Sequence, residues 1–220
     1  MTQRLKIDFV SDISCPWCAI ALSSLGIALA RLGEEIQVDF TVQPFELNPA
    51  MGPDGQDITD YLTQKYGSTP EQQAEIRKTI RQRGATVGFT FREAGREWIY
   101  NTFDAHRLLH WAGLPDTHPA NRQRALKQAL MRTYFTDGES PASHAVLQKV
   151  AAEVGLDATQ ALDILTSDRY AKAVRTRQRH FTELGIRAVP AVIINDQHLI
   201  SGGQPAEIFE DELRKVAGLF

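Results

Sequence analysis

The sequence predicts an α/β protein in which an N-terminal β-α-β unit and a C-terminal α-β-β-α unit are separated by an all-helical block. Three observations carry this reading. Two early segments alternate like strands, helical periodicity runs through the middle of the chain, and strand character returns near residues 191–200. The predicted parts are residues 1–56, 57–166 and 167–220.

Leu5, Ile7 and Phe9, and later Ile36, Val38, Phe40 and Val42, alternate with polar residues, which predicts strands near 4–11 and 35–42. Between them Ala19, Leu22, Leu25 and Leu29 recur at helical spacing. That helix starts after Cys15 and stops near Gly33, with Pro16 at its first position, where a missing N–H removes no helical bond. In the middle block Pro70 opens a helix carrying Ile76 and Ile80, and Asn101 with Asp104 reads as a capping pair for a helix closing at Gly113 before Pro115. Pro119, Ser140-Pro141 and Asp157 open three more, one bearing the stripe Val146, Leu147, Val150 and Val154. After Ser167 a longer helix with Tyr170, Val174 and Phe181 ends at Gly185. Ala191–Ile194 and His198–Ile200 flank the polar connector Asn195-Asp196-Gln197 and predict an antiparallel hairpin. Gly202-Gly203 follow, and Pro205 opens a last helix with Ile208, Phe209, Leu213 and Val216.

With 220 residues, 43% of them hydrophobic, the chain is long enough to close a core as one domain carrying an insertion. Its net charge of −3 offers no cationic field for phosphate backbones, so nucleic acid is not an expected partner. The apolar runs read as shorter than the roughly 20 residues a membrane helix needs, so no membrane span is expected. Lys6 and Asp8 interrupt the opening where a signal peptide would be apolar, which points to a cytoplasmic protein. Two cysteines cannot build a multi-bridge scaffold, so their value is chemical.

They stand at Cys15 and Cys18, separated by Pro16 and Trp17. Cys15 falls at the helix N-cap, where its sulfur faces the unpaired N–H groups of Trp17 and Cys18 and the positive end of the helix dipole, which favours thiolate over thiol. Such sites lower a cysteine pKa from about 8.5 to about 3.5–7.5, and with no charge between the cysteines a moderate shift is expected. Cys15 is the candidate nucleophile. Cys18 lies one turn on, its Cβ about 5–6 Å away, and is the candidate resolving thiol. Two sulfurs at this spacing suit thiol–disulfide exchange, because a mixed disulfide on the first must be released by the second. A zinc site would need two further ligands, which only a distant pair such as His106 and His110 could supply. An inert disulfide or a pair of buried thiols is the other reading, disfavoured by the helix-start position.

The pattern extends beyond the dithiol. Ser11-Asp-Ile-Ser-Cys-Pro-Trp-Cys18, Pro44-Phe-Glu-Leu-Asn-Pro49, the run from Asn101 to Ala112, Gly185-Ile-Arg-Ala-Val-Pro190 and Ser201-Gly-Gly-Gln-Pro205 follow one another in order. Through these segments the chain resembles the DsbA-like thioredoxin-fold oxidoreductases, and within them the FrnE-like proteins. The resemblance implies a thioredoxin fold with an inserted all-helical domain, in agreement with the segment order. It assigns Val189-Pro190 to a cis-proline site facing the dithiol, where the turned backbone would offer strand-like hydrogen bonds to an extended substrate. Val189, Pro190 and Trp17 are thus the candidate substrate-binding residues. The implied activity is protein disulfide oxidation, reduction or isomerisation on polypeptides, with no bound cofactor. Glutathione or a reductase system would serve as thiol reductant. One departure stands out: Ala19-Ile20-Ala21 follows the second cysteine, where an aromatic and a glycine are usual.

A related branch, the kappa-class glutathione transferases and 2-hydroxychromene-2-carboxylate isomerases, shares the insertion but typically has serine where Cys15 stands. A glutathione-dependent transferase or isomerase is therefore the second functional reading, and a chaperone-like polypeptide-binding module the third. Ala105, Leu108, Leu109 and Ala112 form the core stripe of their helix, and His106 and His110 lie off it. These histidines are expected to be solvated or structural, with the groove above Cys15 as the alternative. Trp98 and Trp111 are expected to pack.

Overall fold

A computed structural model describes residues 3–115 and 122–219. The alternation near the N-terminus becomes β1 (Gln3–Ser11), followed by α1 (Pro16–Leu32) and β2 (Ile36–Pro44). Cys15 is the N-cap of α1 in extended conformation, Pro16 opens the helix, and Gly33 ends it with φ of 51°.

Two features of the middle block depart from expectation. The first is a two-stranded antiparallel ribbon of β3 (Gln56–Asp57) and β4 (Trp98–Ile99), too short to show alternation. Between these strands lie α2 (Ile58–Tyr66), capped by Asp57 through the N–H groups of Thr59 and Asp60, and α3 (Pro70–Thr86), which carries a Thr69–Gln72 capping box. The second concerns helix starts. α4 (Phe103–Ala112) does begin beside Asn101, whose side chain accepts the Phe103 N–H at 2.8 Å, but Asp104 pairs with Arg107 and His144 instead of capping. Before α5 (Gln123–Arg132), the predicted start at Pro119 lies outside the described residues. α6 (His144–Glu153) starts later than Ser140-Pro141 because Ser143 caps it by accepting the Val146 N–H. Asp157 caps α7 (Ala158–Leu165) as predicted.

The chain then returns through α8 (Ala171–Glu183), β5 (Ala191–Ile194), β6 (His198–Ser201) and α9 (Ala206–Ala217). Asn195 and Asp196 adopt the positive φ values, 51° and 57°, that a tight hairpin turn demands, and Asn195 accepts the Lys6 N–H at 2.9 Å. The sheet order is β2-β1-β5-β6, with β1 parallel to β2 and antiparallel to β5. This is the arrangement the resemblance implies. One hydrophobic core runs from the sheet (Ile7, Phe9, Val192) through α1 (Leu22, Leu25) and α9 (Phe209, Leu213) into the insertion (Leu108, Leu130, Ile164). Its continuity lets insertion residues reach the N-terminus of α1.

The expectation about apolar length needs correction. Pro16–Glu35 is long and apolar enough to cross a membrane, with a mean hydropathy of 1.4, because α1 faces apolar neighbours on several sides. Half of that stretch is buried, and α1 packs against α9.

Candidate active site

The turn leading into α1 brings the two cysteines to one end of the sheet. Both are free thiols, Cys18 fully buried and Cys15 only 4% exposed. The Cys15 thiol points its proton at the carbonyl of Val189, 3.6 Å away, and the Val189–Pro190 peptide bond is cis. Residues far apart in sequence thus meet as the resemblance implied. Trp17, partly buried, lies over Gly203, where an added Cβ would stand 3.2 Å from its Cε3 atom.

The electrostatics divide the two sulfurs. A hydrogen bond from the Cys18 thiol lowers the Cys15 pKa against the effect of burial; the Arg96 guanidinium adds to this and the Asp12 carboxylate opposes it. No side-chain capping hydrogen bond closes at the N-cap, yet the Cys18 amide favours the Cys15 thiolate as expected, after the larger effect of the Cys18 thiol. Burial drives Cys18 the other way, well above the ordinary cysteine range, and the neighbouring Cys15 reinforces the shift.

Beneath the dithiol lies a buried polar shelf. Asp12 accepts the Ser14 N–H at 3.3 Å, the Ser14 hydroxyl at 2.8 Å, the Leu47 N–H at 2.7 Å and the Thr102 hydroxyl at 2.8 Å. Burial pushes this carboxyl up, but His106, the Leu47 amide and Lys127 together hold it well below the usual range. Arg96 donates to the Ser14 carbonyl and lies over the rings of Tyr134 and Phe135, 5.7 and 5.6 Å from their centroids. Lys127 of α5 is fully buried, and burial pushes its pKa down to about 8.

His106 is not solvated: it is 1% exposed, its Nε2 atom 3.5 Å from Asp12, a long approach for a hydrogen bond. His110 lines a different, smaller pocket and packs on Tyr170 with ring centroids 5.3 Å apart. Trp98 is 45% exposed, contrary to its expected packing role, because its short ribbon lies at the surface, whereas Trp111 is buried. Sequence reasoning assigned no role to Arg96, Thr102 or Lys127. For Lys127 a signal existed: it shares the buried face of α5 with Leu126, Leu130 and Met131, an unusual place for a lysine.

Cys15 and Trp17 line a cavity of about 710 Å³ walled by Phe45, Leu47, Tyr61, Ile80 and Val189. Lys65, Arg77, Arg81, Arg92, Arg96 and Arg187 also line it. Its carboxylate, Glu46, is engaged by Arg175 and Gln178.

A paired thiol at a helix start, facing a cis-proline on a four-stranded mixed sheet, defines the thioredoxin-type thiol oxidoreductases. Within that class the chain belongs to the DSBA-like thioredoxin domain family, whose profile matches residues 6–214. The structure of a probable DsbA oxidoreductase from Streptomyces coelicolor superposes with a TM-score of 0.88 at 32% identity, covering 97% of this chain and 90% of that one. YwbO of Bacillus subtilis is 25% identical over 222 residues, spanning 98% of this chain and all of its own. The cytosolic disulfide reductase DsbM of Pseudomonas aeruginosa, solved with GSH, shares the fold with a TM-score of 0.65 at 17% identity, covering 96% of this chain and 98% of that one.

Proposed function

We propose that this protein is a FrnE-like thiol–disulfide oxidoreductase that reduces or isomerises polypeptide disulfides in the cytoplasm. The Cys15 thiolate attacks a substrate disulfide, forms a mixed disulfide and releases one substrate thiolate. Cys18 then attacks the Cys15 sulfur, closing the Cys15–Cys18 bond and releasing the second substrate thiolate. A thiol reductant restores the pair. The observation that carries this reading is the Cys15 sulfur, 3.6 Å from the Val189 carbonyl and at the wall of an open cavity, with Cys18 packed behind it. The cis Val189–Pro190 backbone would bind an extended segment through main-chain hydrogen bonds, and Trp17 would contact its apolar side chains. Catalysis of insulin reduction by a thiol reductant tests the activity. The wild-type protein should accelerate precipitation of the reduced chains and Cys15→Ser should not; a wild-type rate equal to the reductant alone ends this reading.

A second reading is favoured by the cations around the cavity. They suit an anionic thiol such as glutathione, and DsbM, which shares the fold, was solved with GSH. Glutathione would then be the reductant, or a co-substrate in a small-molecule transfer or isomerisation. Recovering from cells what stays bound to Cys15 in a Cys18→Ser variant separates the two: protein adducts favour the first reading, glutathione alone the second.

A further inference from the structure

The cavity at Cys15 carries a charge pattern that thiol exchange by itself does not require. The chain as a whole is acidic, at net −3, yet six of its 24 Lys and Arg residues line this one space. Elsewhere on the surface Arg4, Arg31 and Arg214 pair with the carboxylates of Asp39, Glu207 and Glu35. Around the cavity such pairing is missing. Among the described residues only Arg92 of the six has a carboxylate within 4.0 Å, that of Glu97 at 4.0 Å. Lys65 donates to the Leu47 carbonyl and the Tyr61 hydroxyl at 2.7 Å each, Arg81 to the Glu93 carbonyl at 2.8 Å and Arg187 to the Thr182 carbonyl at 2.6 Å. These neutral acceptors hold the cationic groups in place without cancelling their charge. Arg77 has neither a hydrogen bond nor an ion pair among the described residues. A concave, low-dielectric wall concentrates the field of such groups on an incoming anion.

The same wall is also apolar. On α3, Ile76 and Ile80 form one row along the cavity and Arg77 and Arg81 the row beside it, each pair four residues apart. Tyr66 and Ile76, both in the lining, are 61% and 50% exposed. Glutathione brings carboxylates but no large apolar side chain, so it would leave that surface in water. An extended polypeptide segment answers both rows. Its side chains on one face recur about 6.6 Å apart, and residues four apart on a helix are displaced by about 6 Å along the axis. We propose that the cavity selects polypeptide disulfides whose cysteine is flanked by both acidic and large apolar residues, a selectivity that rests on the reading of Cys15 as nucleophile toward polypeptides. Substrate carboxylates meet Arg77 and Arg81, and apolar side chains cover Ile76 and Ile80. The uncancelled charge then acts in substrate capture, before any sulfur reacts.

Short cysteine peptides carried as 2-pyridyl disulfides test this, because attack of Cys15 on the peptide sulfur releases pyridine-2-thione, whose absorbance reads the rate. Peptides of one length alternate Leu with Glu, Gln or Lys on both sides of the cysteine, and a fourth alternates Ser with Glu. Each rate of the reduced protein is divided by its rate with neutral 2,2′-dipyridyl disulfide, which reads the reactivity of the Cys15 sulfur alone. At low salt and below saturation the Leu-Glu peptide should react about tenfold faster than the Leu-Lys peptide, the scale of a few partly exposed charge pairs, with Leu-Gln between them. The difference should lie in the half-saturating concentration, not in the limiting rate. It should shrink as salt shortens the screening length from about 30 Å at 0.01 M to about 10 Å at 0.1 M. Arg77→Gln combined with Arg81→Gln should remove most of the preference. The Ser-Glu peptide and oxidised glutathione should each need a higher concentration to saturate than the Leu-Glu peptide. Equal normalised rates for the Glu and Lys peptides, a preference indifferent to salt or kept in the double variant, or oxidised glutathione saturating as low as the Leu-Glu peptide overturns the selectivity. Should the double variant not fold, the wild-type peptide series and its salt dependence decide. A wild-type protein inert toward 2,2′-dipyridyl disulfide overturns the nucleophile assignment instead.

Discussion

Cys15 and Cys18 sit one helical turn apart, yet the two sulfurs meet opposite surroundings. Cys15 lines an open cavity, with Arg96 close by and the Val189 carbonyl before it. Cys18 is closed in by the core, and Lys127 and the Asp12 backbone only partly offset the effect of that burial. A single turn of helix therefore separates a thiol made acidic from a thiol kept protonated. Burial and neighbouring groups set the opposite directions of the two shifts. The thioredoxin half presents the dithiol and burial sets its two thiols apart, with Arg96 of the insertion adding to the acidity of Cys15.

Breaking that contrast has its largest effect at the sulfurs themselves. Cys18→Ala should reduce multiple-turnover insulin reduction at least 1,000-fold in effect, on the scale expected when a residue of a reacting pair is removed (roughly 10³ or more). It should also raise the Cys15 pKa, because the hydrogen bond from the Cys18 thiol is lost; thiolate absorbance near 240 nm against pH reads the shift. If Cys15 titrated unchanged, the neighbouring thiol would not be what lowers it.

The next effect is on stability. The Lys127 pKa falls from 10.5 to about 8 on folding, so the folded state binds fewer protons between those values. The penalty is full below pH 8 and relaxes as pH rises toward 10.5. Lys127→Met should stabilise the protein by about 3 kcal/mol at pH 7, and the gain should shrink through that window. Urea unfolding at several pH values checks it; a variant less stable than wild type at pH 7 contradicts an unpartnered buried lysine.

Asp12→Asn sharpens the comparison from below. Losing charge-assisted hydrogen bonds to Ser14, Leu47 and Thr102 should destabilise the fold by about 2 kcal/mol. The folded Asp12 pKa is depressed, so the contribution of its charge is present above the unfolded value of about 3.9 and is lost as pH falls below it. The variant should also lower the Cys15 pKa, since the Asp12 anion opposes the thiolate, whereas Arg96→Gln should raise it. Shifts of the same sign in both variants would show that geometry, not charge, dominates. The smallest change is expected from Gly203→Ala. Its methyl meets Trp17 Cε3 at 3.2 Å and the Trp17 carbonyl oxygen at 3.3 Å, which should cost about 1 kcal/mol or less and change KM more than kcat.

What could be read from the sequence follows the range of the interactions. The alternation of Leu5, Ile7 and Phe9, the N-cap at Cys15 and the hairpin turn at Asn195-Asp196 are set by neighbours a few residues away, and each was legible. The cis-proline came from resemblance, because an X-Pro bond alone carries only about a 5–6% expectation of being cis. The ribbon Gln56–Asp57 with Trp98–Ile99 escaped because two residues show no period. The shelf escaped for another reason: Asp12, Arg96, Thr102 and Lys127 come from four separate parts of the chain, and only the packing of α4 and α5 on the sheet brings them together. His106 looked like a surface residue off its core stripe, yet the insertion closes over it.

The insertion also grips both halves of the sheet-bearing unit. Arg96 holds the Ser14 carbonyl before α1, and Arg83 donates to the Gly203 carbonyl at 2.9 Å beyond β6. A trimmed chain, stitched from the end of β2 straight to α8, would keep every strand of the four-membered sheet while stripping the rear sulfur of its shelter. Water would then reach both thiols, and their acidities would converge.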